Sequence, residues 1–143
     1  RRSSVKSILV DAGPLIALFD RSDAHHARVR ELIRDRPAQL ITTWPVVTEV
    51  SHMLDFDVRA QLDFLRWVSA RGVILHEIDG EALERIIALT SKYQDRPMDL
   101  ADASLVVAAE QLKLHEVISI DRDFDIYRTA DRKRIKNVYL ERE

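Results

Sequence analysis

The chain has 143 residues, 46% of them hydrophobic, and its 22 basic and 24 acidic residues give a net charge of −2. This length and apolar content predict one domain, residues 1–143, and the near-neutral charge excludes the overall basic field that many nucleic-acid binders carry. The absence of cysteine excludes disulfides, thiolate metal sites and a thiol nucleophile. No long apolar stretch or secretory signal is present, so we expect no membrane association and a cytoplasmic location.

Short strand-like runs alternate with longer helical runs along the chain, a pattern that is typical of parallel β-α-β units. The predicted strands are residues 6–10, 39–43, 73–78, 116–120 and 137–140. The predicted helices are residues 14–19, 23–35, 45–54, 58–71, 80–93 and 99–112. We therefore predict an α/β fold: a three-layer α/β/α sandwich with a mainly parallel sheet of about five strands and a ligand site at their carboxyl ends.

Local signals support two of the predicted helix boundaries. Thr43 has the side chain of a helix cap, and Pro45 fits the first turn of the helix that follows it. Gly72 follows the helix at residues 58–71 and is predicted to close it. These signals set the positions at which helical runs should begin and end.

Two aspartates directly follow predicted strands. Asp11 ends the hydrophobic run at residues 8–10, and Asp121 ends the run at residues 117–120. Both carboxylates are therefore predicted at the carboxyl-end rim of the sheet, where a doubly wound fold keeps its ligand site.

Two more acids lie on apolar faces of predicted helices. Glu49 shares a helical face with Val46, Val50 and Met53, and Asp102 lies in a helix that is apolar nearly all round. Both side chains are predicted to point toward the interior or a cleft. Because isolated charges are costly to bury, the acids should share a metal ion or basic partners.

Each acid also has a simpler structural interpretation. Asp11 and Asp99 can cap the helices that follow them, and Asp102 can favour a helix start through its charge. Asp121 can be an ordinary turn residue, and Glu49 can form a salt bridge to an arginine. We prefer the capping role for Asp99, whereas one shared cation site explains the other four acids together.

Other ligand classes are not indicated. The five histidines are scattered and form no zinc pattern, and the three glycines form no phosphate-binding loop, which argues against nucleotide cofactors. The segment at residues 126–143 has six basic and three acidic residues. Taken alone it is typical of a solvated surface.

These motifs resemble the PIN-domain nuclease family, and the resemblance runs over residues 8–139. The matching segments are residues 9–11, 14–18, 48–50, 98–105 and 119–124. Their order and spacing make the resemblance specific. The chain departs from many members directly after the first aspartate, where it has Ala12 and Gly13 in place of hydroxyl or amide side chains.

The resemblance implies a hydrolase that cleaves phosphodiester bonds with Mg²⁺ or Mn²⁺. It implies that Asp11, Asp102 and Asp121 bind the metal directly or through water, and that Glu49 is a ligand or orients the attacking water. Ser119 matches a family hydroxyl that orients a ligand or water. These four acids are therefore the candidate catalytic residues.

A chain of this size is most similar to the VapC-type toxins, which implies an endoribonuclease of a type II toxin-antitoxin pair with an antitoxin protein as partner. Since carboxylates repel phosphate, we expect Arg132, Lys133 and Arg134 to hold the RNA backbone. We also expect a homodimer, because two helices carry more apolar residues than one sheet face needs: Leu62, Leu65, Trp67, Leu83, Ile86 and Ile87. Core packing is the alternative explanation for these residues.

Two other functions remain open at this level. A phosphoacceptor receiver domain also groups acids at strand ends, but it needs adjacent acids after the first strand, and here only Asp11 follows Val10. A noncatalytic RNA- or protein-binding PIN-like module would have the fold with an inactive site. Phosphorylation by a small phosphodonor would identify the first, and lack of metal-dependent cleavage would identify the second.

Overall fold

The computed structural model describes residues 5–96 and 98–140. Its strands are β1 (Ser7–Val10), β2 (Gln39–Thr42), β3 (Ile74–Leu75), β4 (Glu116–Ile118) and β5 (Lys136–Asn137). Its helices are α1 (Ala12–Phe19), α2 (His26–Asp35), α3 (Trp44–Met53), α4 (Val58–Ser69), α5 (Leu83–Lys92) and α6 (Leu100–Leu112). Two 3₁₀ turns cover Gly80–Ala82 and Asp123–Asp125.

All five strands form one parallel sheet in the order β3, β2, β1, β4, β5. The chain moves from β1 to β2 to β3 in one direction, so right-handed crossovers place α1 to α4 on one face. It then returns across the sheet to β4, which places α5 and α6 on the other face. The predicted three-layer α/β fold is confirmed.

The strand order also excludes a receiver domain. A receiver-like sheet has the order β2, β1, β3, β4, β5, whereas here β4 lies beside β1 and β3 lies at the edge. The receiver alternative is therefore wrong.

The centre of the sheet is its most buried part. Ile8, Leu9 and Val10 of β1 are fully buried, and Leu9 pairs with Ile41 of β2 and Val117 of β4. The ladder continues one residue past β1, because the backbone N–H of Asp11 donates to the carbonyl of Ile118 at 3.0 Å. The end of the central strand therefore positions Asp11 rigidly.

Helix α6 is buried nearly all round, as its sequence predicts. Its residues 103–109 are buried, and the helix contacts both α5 and α3. The hydroxyl groups of Ser104 in α6 and Thr43 before α3 lie 2.6 Å apart. This polar contact joins the start of α3 to α6 at the carboxyl end of the sheet.

Several predicted boundaries differ from the structure. The strand at 73–78 is reduced to Ile74–Leu75, an edge strand with β2 as its neighbour, and the strand at 137–140 is replaced by Lys136–Asn137. The helix predicted from residue 23 begins at His26, because Asp23 accepts backbone hydrogen bonds from His25 and His26 in a turn. Hydrophobic residues at these positions belong to loops that cover the core.

Two of the boundary residues have different roles from those predicted. Pro45 does lie in the first turn of α3, but Thr43 makes no side-chain cap there. After α4 the residue with positive φ is Arg71, at 67°, and not Gly72. Gly72 is required for another reason, since a Cβ atom there would lie 2.1 Å from Nε1 of Trp67.

The apolar residues expected at a dimer surface divide into two groups. Leu62 and Leu65 on α4 and Leu83 and Ile87 on α5 are exposed. The other two, Trp67 and Ile86, pack into the core. The prediction that all six exceed the needs of the core is therefore wrong for Trp67 and Ile86.

Parts of two predicted features lie outside the described residues. The predicted domain loses residues 1–4 and residue 97, and the basic segment at 126–143 loses residues 141–143. Within the described ranges, no helix combines the length and the apolar character that crossing a bilayer requires.

Candidate active site

The acids from four separate parts of the chain meet at the carboxyl ends of β1 and β4. Asp11 directly follows β1, Asp121 lies three residues beyond β4, and Asp102 lies in the first turn of α6. Burial raises the pKa of both Asp11 and Asp102, and neighbouring negative charges add to each shift: those of Asp121 and Glu49 for Asp11, and those of Asp11, Asp99 and Asp121 for Asp102. The aspartates therefore lie close enough to act on one another electrostatically, and Glu49 acts on them from the edge of the group.

Asp11 is the most buried of the acids, with 7% of its surface exposed. Its Oδ1 accepts a hydrogen bond from the backbone N–H of Ala12 at 2.8 Å, and its Oδ2 accepts one from the Ser119 hydroxyl at 2.9 Å. Burial raises the pKa of Asp11 to about 7 although both hydrogen bonds favour the charged form. The residue therefore caps α1 and faces the site with the same carboxylate.

Asp102 is half-buried at the start of α6. Its backbone N–H donates to Oδ1 of Asp99 at 2.8 Å, which confirms Asp99 as the helix cap, and its Oδ2 accepts from the Tyr127 hydroxyl at 2.9 Å. Burial raises the pKa of Asp102 to about 8, and the charges of Asp11 and Asp99 add to this shift. A proton or a cation would therefore stabilise this carboxylate.

Asp121 lies on the exposed side of the site. Its Oδ1 accepts the backbone N–H of Asp123 at 3.0 Å, so it also has the predicted turn role. The same oxygen lies 3.5 Å from the Ser119 hydroxyl, against 2.9 Å for Asp11. Ser119 has one hydroxyl proton, which the distances assign to Asp11.

Glu49 does not point inward, and this prediction is wrong. Val46 and Val50 of α3 are fully buried, whereas Glu49 and Met53 lie on an adjacent, exposed stripe of the same helix. Glu49 lines an open cleft of about 550 Å³ beside Asp99. Partial burial raises its pKa, and the charges of Asp99 and Asp121 contribute, so Glu49 belongs to the rim of the acidic site.

Asn137 is a site-forming residue that the sequence analysis missed. Its Nδ2 donates to the carbonyls of Ser119 and Asp121 at 3.0 and 3.1 Å, and its Oδ1 accepts the N–H of Ser119 at 3.2 Å. These bonds hold the segment that follows β4. The sequence offered one signal, an amide side chain at the start of a predicted strand. The structure shows that this position is buried.

Tyr127 and Asp99 were also missed as parts of the site. The Tyr127 hydroxyl contacts Asp102, and burial raises the pKa of Tyr127, so this hydroxyl remains a proton donor. Asp99 adds negative charge that acts on Glu49 and Asp102. No spacing rule links residue 127 to residue 102, so only the tertiary structure could identify this pair.

The predicted RNA-binding residues lie in two places. Ser119 is at the centre of the acidic site, whereas Arg132, Lys133 and Arg134 are exposed on the loop before β5. Lys133 lines a separate cavity of about 330 Å³ together with Glu110 and Lys113. Glu110 follows Asp102 by eight residues in α6, which is about 12 Å along the helix at about 1.5 Å per residue.

The acidic site has the right chemistry for a divalent cation but not the geometry of a finished cage. In residues 5–96 and 98–140, no three acidic or histidine side chains stand together as metal ligands. The carboxylates are instead held by protein donors such as Ala12, Ser119 and Tyr127. Carboxylate oxygens are the ligands that Mg²⁺ and Mn²⁺ prefer, and a cation would relieve the repulsion among these acids.

Comparisons with known proteins agree with this architecture. The PIN domain family model matches residues 8–130. Ribonuclease VapC26 of Mycobacterium tuberculosis is 28% identical over 117 residues, which are 80% of this chain and 87% of that protein. The crystal structure of Mycobacterium tuberculosis VapC20, a sarcin-ricin loop cleaving toxin, has a TM-score of 0.75 at 19% identity and covers 81% of this chain and 91% of that one.

The raised pKa values predict how stability depends on pH in metal-free protein. Folding raises the pKa of Asp11 to about 7 and that of Asp102 to about 8, from 3.8. Between the unfolded-state pKa of 3.8 and these raised values, the folded state binds more protons than the unfolded state. The free energy of unfolding should therefore fall as the pH rises from about 4 to about 8. Thermal melts in EDTA across this range measure the effect.

Asp102→Asn is the matched variant for this measurement. It removes one charge at nearly constant volume and keeps an oxygen that can accept from Tyr127. Near pH 8 it should melt above wild type by about 2–4 °C, which corresponds to a stabilisation on the order of 1 kcal/mol. If the variant shows the same melting temperature and the same pH slope as wild type, the carboxylates do not share a repulsive site.

Proposed function

Since this chain belongs to the PIN-domain family, we propose that it is a metal-dependent endoribonuclease that hydrolyses phosphodiester bonds in RNA. The observation that carries this proposal is the meeting of Asp11, Asp102 and Asp121 at one edge of the sheet, where burial and mutual repulsion raise the pKa of the first two. Such a set of carboxylates is suited to Mg²⁺ or Mn²⁺. The similarity to a protein named as a ribonuclease supports RNA as the substrate.

The roles of the residues follow from their positions. Asp11, Asp102 and Asp121 would hold the cation, and Glu49, on the open rim, would complete the ligand set or orient the attacking water. Ser119 and the N–H of Ala12 fix both oxygens of Asp11. When bound, the cation supplies an activated water and neutralises charge on the phosphate.

The RNA must reach an acidic site that repels phosphate, so cations elsewhere should hold its backbone. Arg132, Lys133 and Arg134 are exposed on the loop before β5. Their separation from Asp102 means that they would contact nucleotides that flank the cleaved bond. The cleaved bond itself would lie at the acids, on the part of the RNA that extends beyond these contacts.

We further propose that this ribonuclease is the toxin of a type II toxin-antitoxin pair, that an antitoxin protein is its partner, and that it acts in the cytoplasm. The similarity to VapC26 and the shared fold with the toxin VapC20 support this proposal. We also propose a homodimer, because Leu62, Leu65, Leu83 and Ile87 are exposed on α4 and α5.

The alternative is a noncatalytic RNA- or protein-binding PIN-like module. One observation favours it: the described acids do not stand in the geometry of a preformed metal site. Such a module would bind RNA or a protein in EDTA as well as in Mn²⁺, and it would not cleave RNA in either condition.

Removal of single acids should separate these two functions. Asp11→Asn, Glu49→Gln and Asp121→Asn should each lower Mg²⁺- or Mn²⁺-dependent RNA cleavage by about 10²-fold or more, because each removes charge that acts where the reaction takes place. Asp63→Asn is the control, since this acid is exposed on α4. The measurement is the single-turnover cleavage rate with a defined RNA.

Metal binding can be tested apart from cleavage. Mn²⁺ should raise the melting temperature of wild type and of Asp63→Asn, with a stabilisation of about 2.7 kcal/mol when the free ion is at about 100 times its Kd. It should stabilise Asp11→Asn less. Wild-type cleavage by Asp11→Asn, with the fold intact, would show that Asp11 is not catalytic.

Neutralising the basic loop should change RNA binding in a salt-dependent way. In Arg132→Ala/Lys133→Ala/Arg134→Ala, the slope of log K against log salt should become shallower by about 2, because up to three fewer counterions are released from single-stranded RNA. Fluorescence anisotropy with a labelled RNA and inactive Asp11→Asn protein measures this slope. An unchanged slope would place the RNA path elsewhere.

The proposed homodimer should be visible by sedimentation. The exposed leucines and isoleucine should bury apolar surface against a second copy, so wild type should sediment as a dimer at micromolar concentration. Leu83→Asp/Ile87→Asp and Leu62→Asp/Leu65→Asp test which helix forms the interface. A wild-type protein that is monomeric throughout this range would contradict the proposal.

A further inference from the structure

Tyr127 is a buried tyrosine whose side-chain hydroxyl faces the acidic site. Its side chain has no exposed surface, and its hydroxyl donates to Oδ2 of Asp102 at 2.9 Å. The rings of Tyr93 and Phe124 contact the Tyr127 ring edge-on, with centroids 5.1 and 5.2 Å away. Edge-on aromatic packing in a buried cluster holds the ring, and with it the hydroxyl, in one orientation.

The Tyr127 hydroxyl can restrain the carboxylate of Asp102. Helix α6 fixes the backbone of Asp102, but the side-chain torsions can still turn the carboxylate toward solvent. The nearby charges of Asp11 and Asp99 repel it and so favour that rotation. A hydrogen bond to a charged acceptor is stronger than one between neutral groups, so the Tyr127 hydroxyl effectively opposes rotation of the carboxylate toward solvent.

We propose that Tyr127 is a positioning residue that holds Asp102 beside Asp11 and thereby sets the affinity of the acidic site for a divalent cation. The hydroxyl occupies one lone pair of Oδ2, so the carboxylate keeps other lone pairs with which to bind the ion. This inference rests on the proposed metal-dependent function. Because the Phe124 ring contacts the Tyr127 ring, Tyr127 also links the site to the segment that follows Asp121.

The aromatic cluster provides a matched pair of variants. Tyr127→Phe removes the hydroxyl that contacts Asp102 and keeps the buried ring. Tyr93→Phe removes a hydroxyl from the neighbouring ring, which accepts the backbone N–H of Arg128 at 2.9 Å and does not contact Asp102. A purely structural role would make the two variants similar, whereas a positioning role makes only the first weaken metal binding.

The measurement is the Kd for Mn²⁺ by isothermal titration calorimetry on the full chain. Tyr127→Phe should bind Mn²⁺ about 10- to 100-fold more weakly, as expected when a group that orients a metal ligand is lost. Tyr93→Phe should remain within about twofold of wild type, since its hydroxyl orients no ligand. Equal Kd values for wild type and Tyr127→Phe would overturn the proposal.

The dependence on Asp102 gives a second readout. In the Asp102→Ala background, Tyr127→Phe should cause no further loss of Mn²⁺ affinity, because the side chain that the hydroxyl orients is already absent. A full additional loss there would also overturn the proposal. If wild type itself fails to bind Mn²⁺, the metal-dependent function fails first, which distinguishes that result from failure of the role of Tyr127.

Wild-type protein provides a test that does not depend on the folding of Tyr127→Phe. With ¹³Cζ-labelled tyrosine, Mg²⁺ should shift the resonance of Tyr127 and leave that of Tyr139 unchanged, since the Tyr139 hydroxyl contacts His25 at 2.8 Å. Tyr93→Phe and Tyr139→Phe spectra assign the three signals. A Mg²⁺ titration that saturates the protein without moving the Tyr127 resonance would overturn the proposal.

Discussion

The structure depends on the burial of like charges at the end of its central strand. The fully buried run of β1 leads directly into Asp11, which has little solvent to stabilise its charge. Asp121 and Asp102 add negative charge at the same edge of the sheet. This arrangement costs folding free energy in the absence of a cation, and a bound cation would offset part of that cost.

The protein holds these charges in place with short-range hydrogen bonds from rigid elements. The start of α1 and the end of β4 supply donors to Asp11, and Asn137 of β5 fixes the segment between Ser119 and Asp121. Because a parallel sheet aligns the carboxyl ends of its strands, residues far apart in sequence become neighbours at one edge. The acidic residues are therefore positioned by the sheet and not by a single loop.

The surface around the site is divided by charge. Glu49 and Asp99 line an open cleft with exposed Trp44 and Leu100, whereas the basic loop before β5 lies near the opposite end of α6. In the proposed function, substrate contacts and chemistry would thus be separated by most of the length of one helix. If this protein cleaves RNA as proposed, an RNA chain that reaches both regions would have to extend along the protein.

The sequence by itself determined the order of strands and helices, the placement of Asp11 and Asp121 at the carboxyl-end rim of the sheet, and the family resemblance, because hydrophobic periodicity and motif spacing are local properties. Tertiary structure alone decided that Glu49 lies on an exposed stripe of α3, since this depends on which part of the helix meets the core. It also decided that Tyr127 reaches Asp102 and that Lys133 lies away from the acids. These contacts depend on how α6 and the last loop pack together, and no local pattern records that packing.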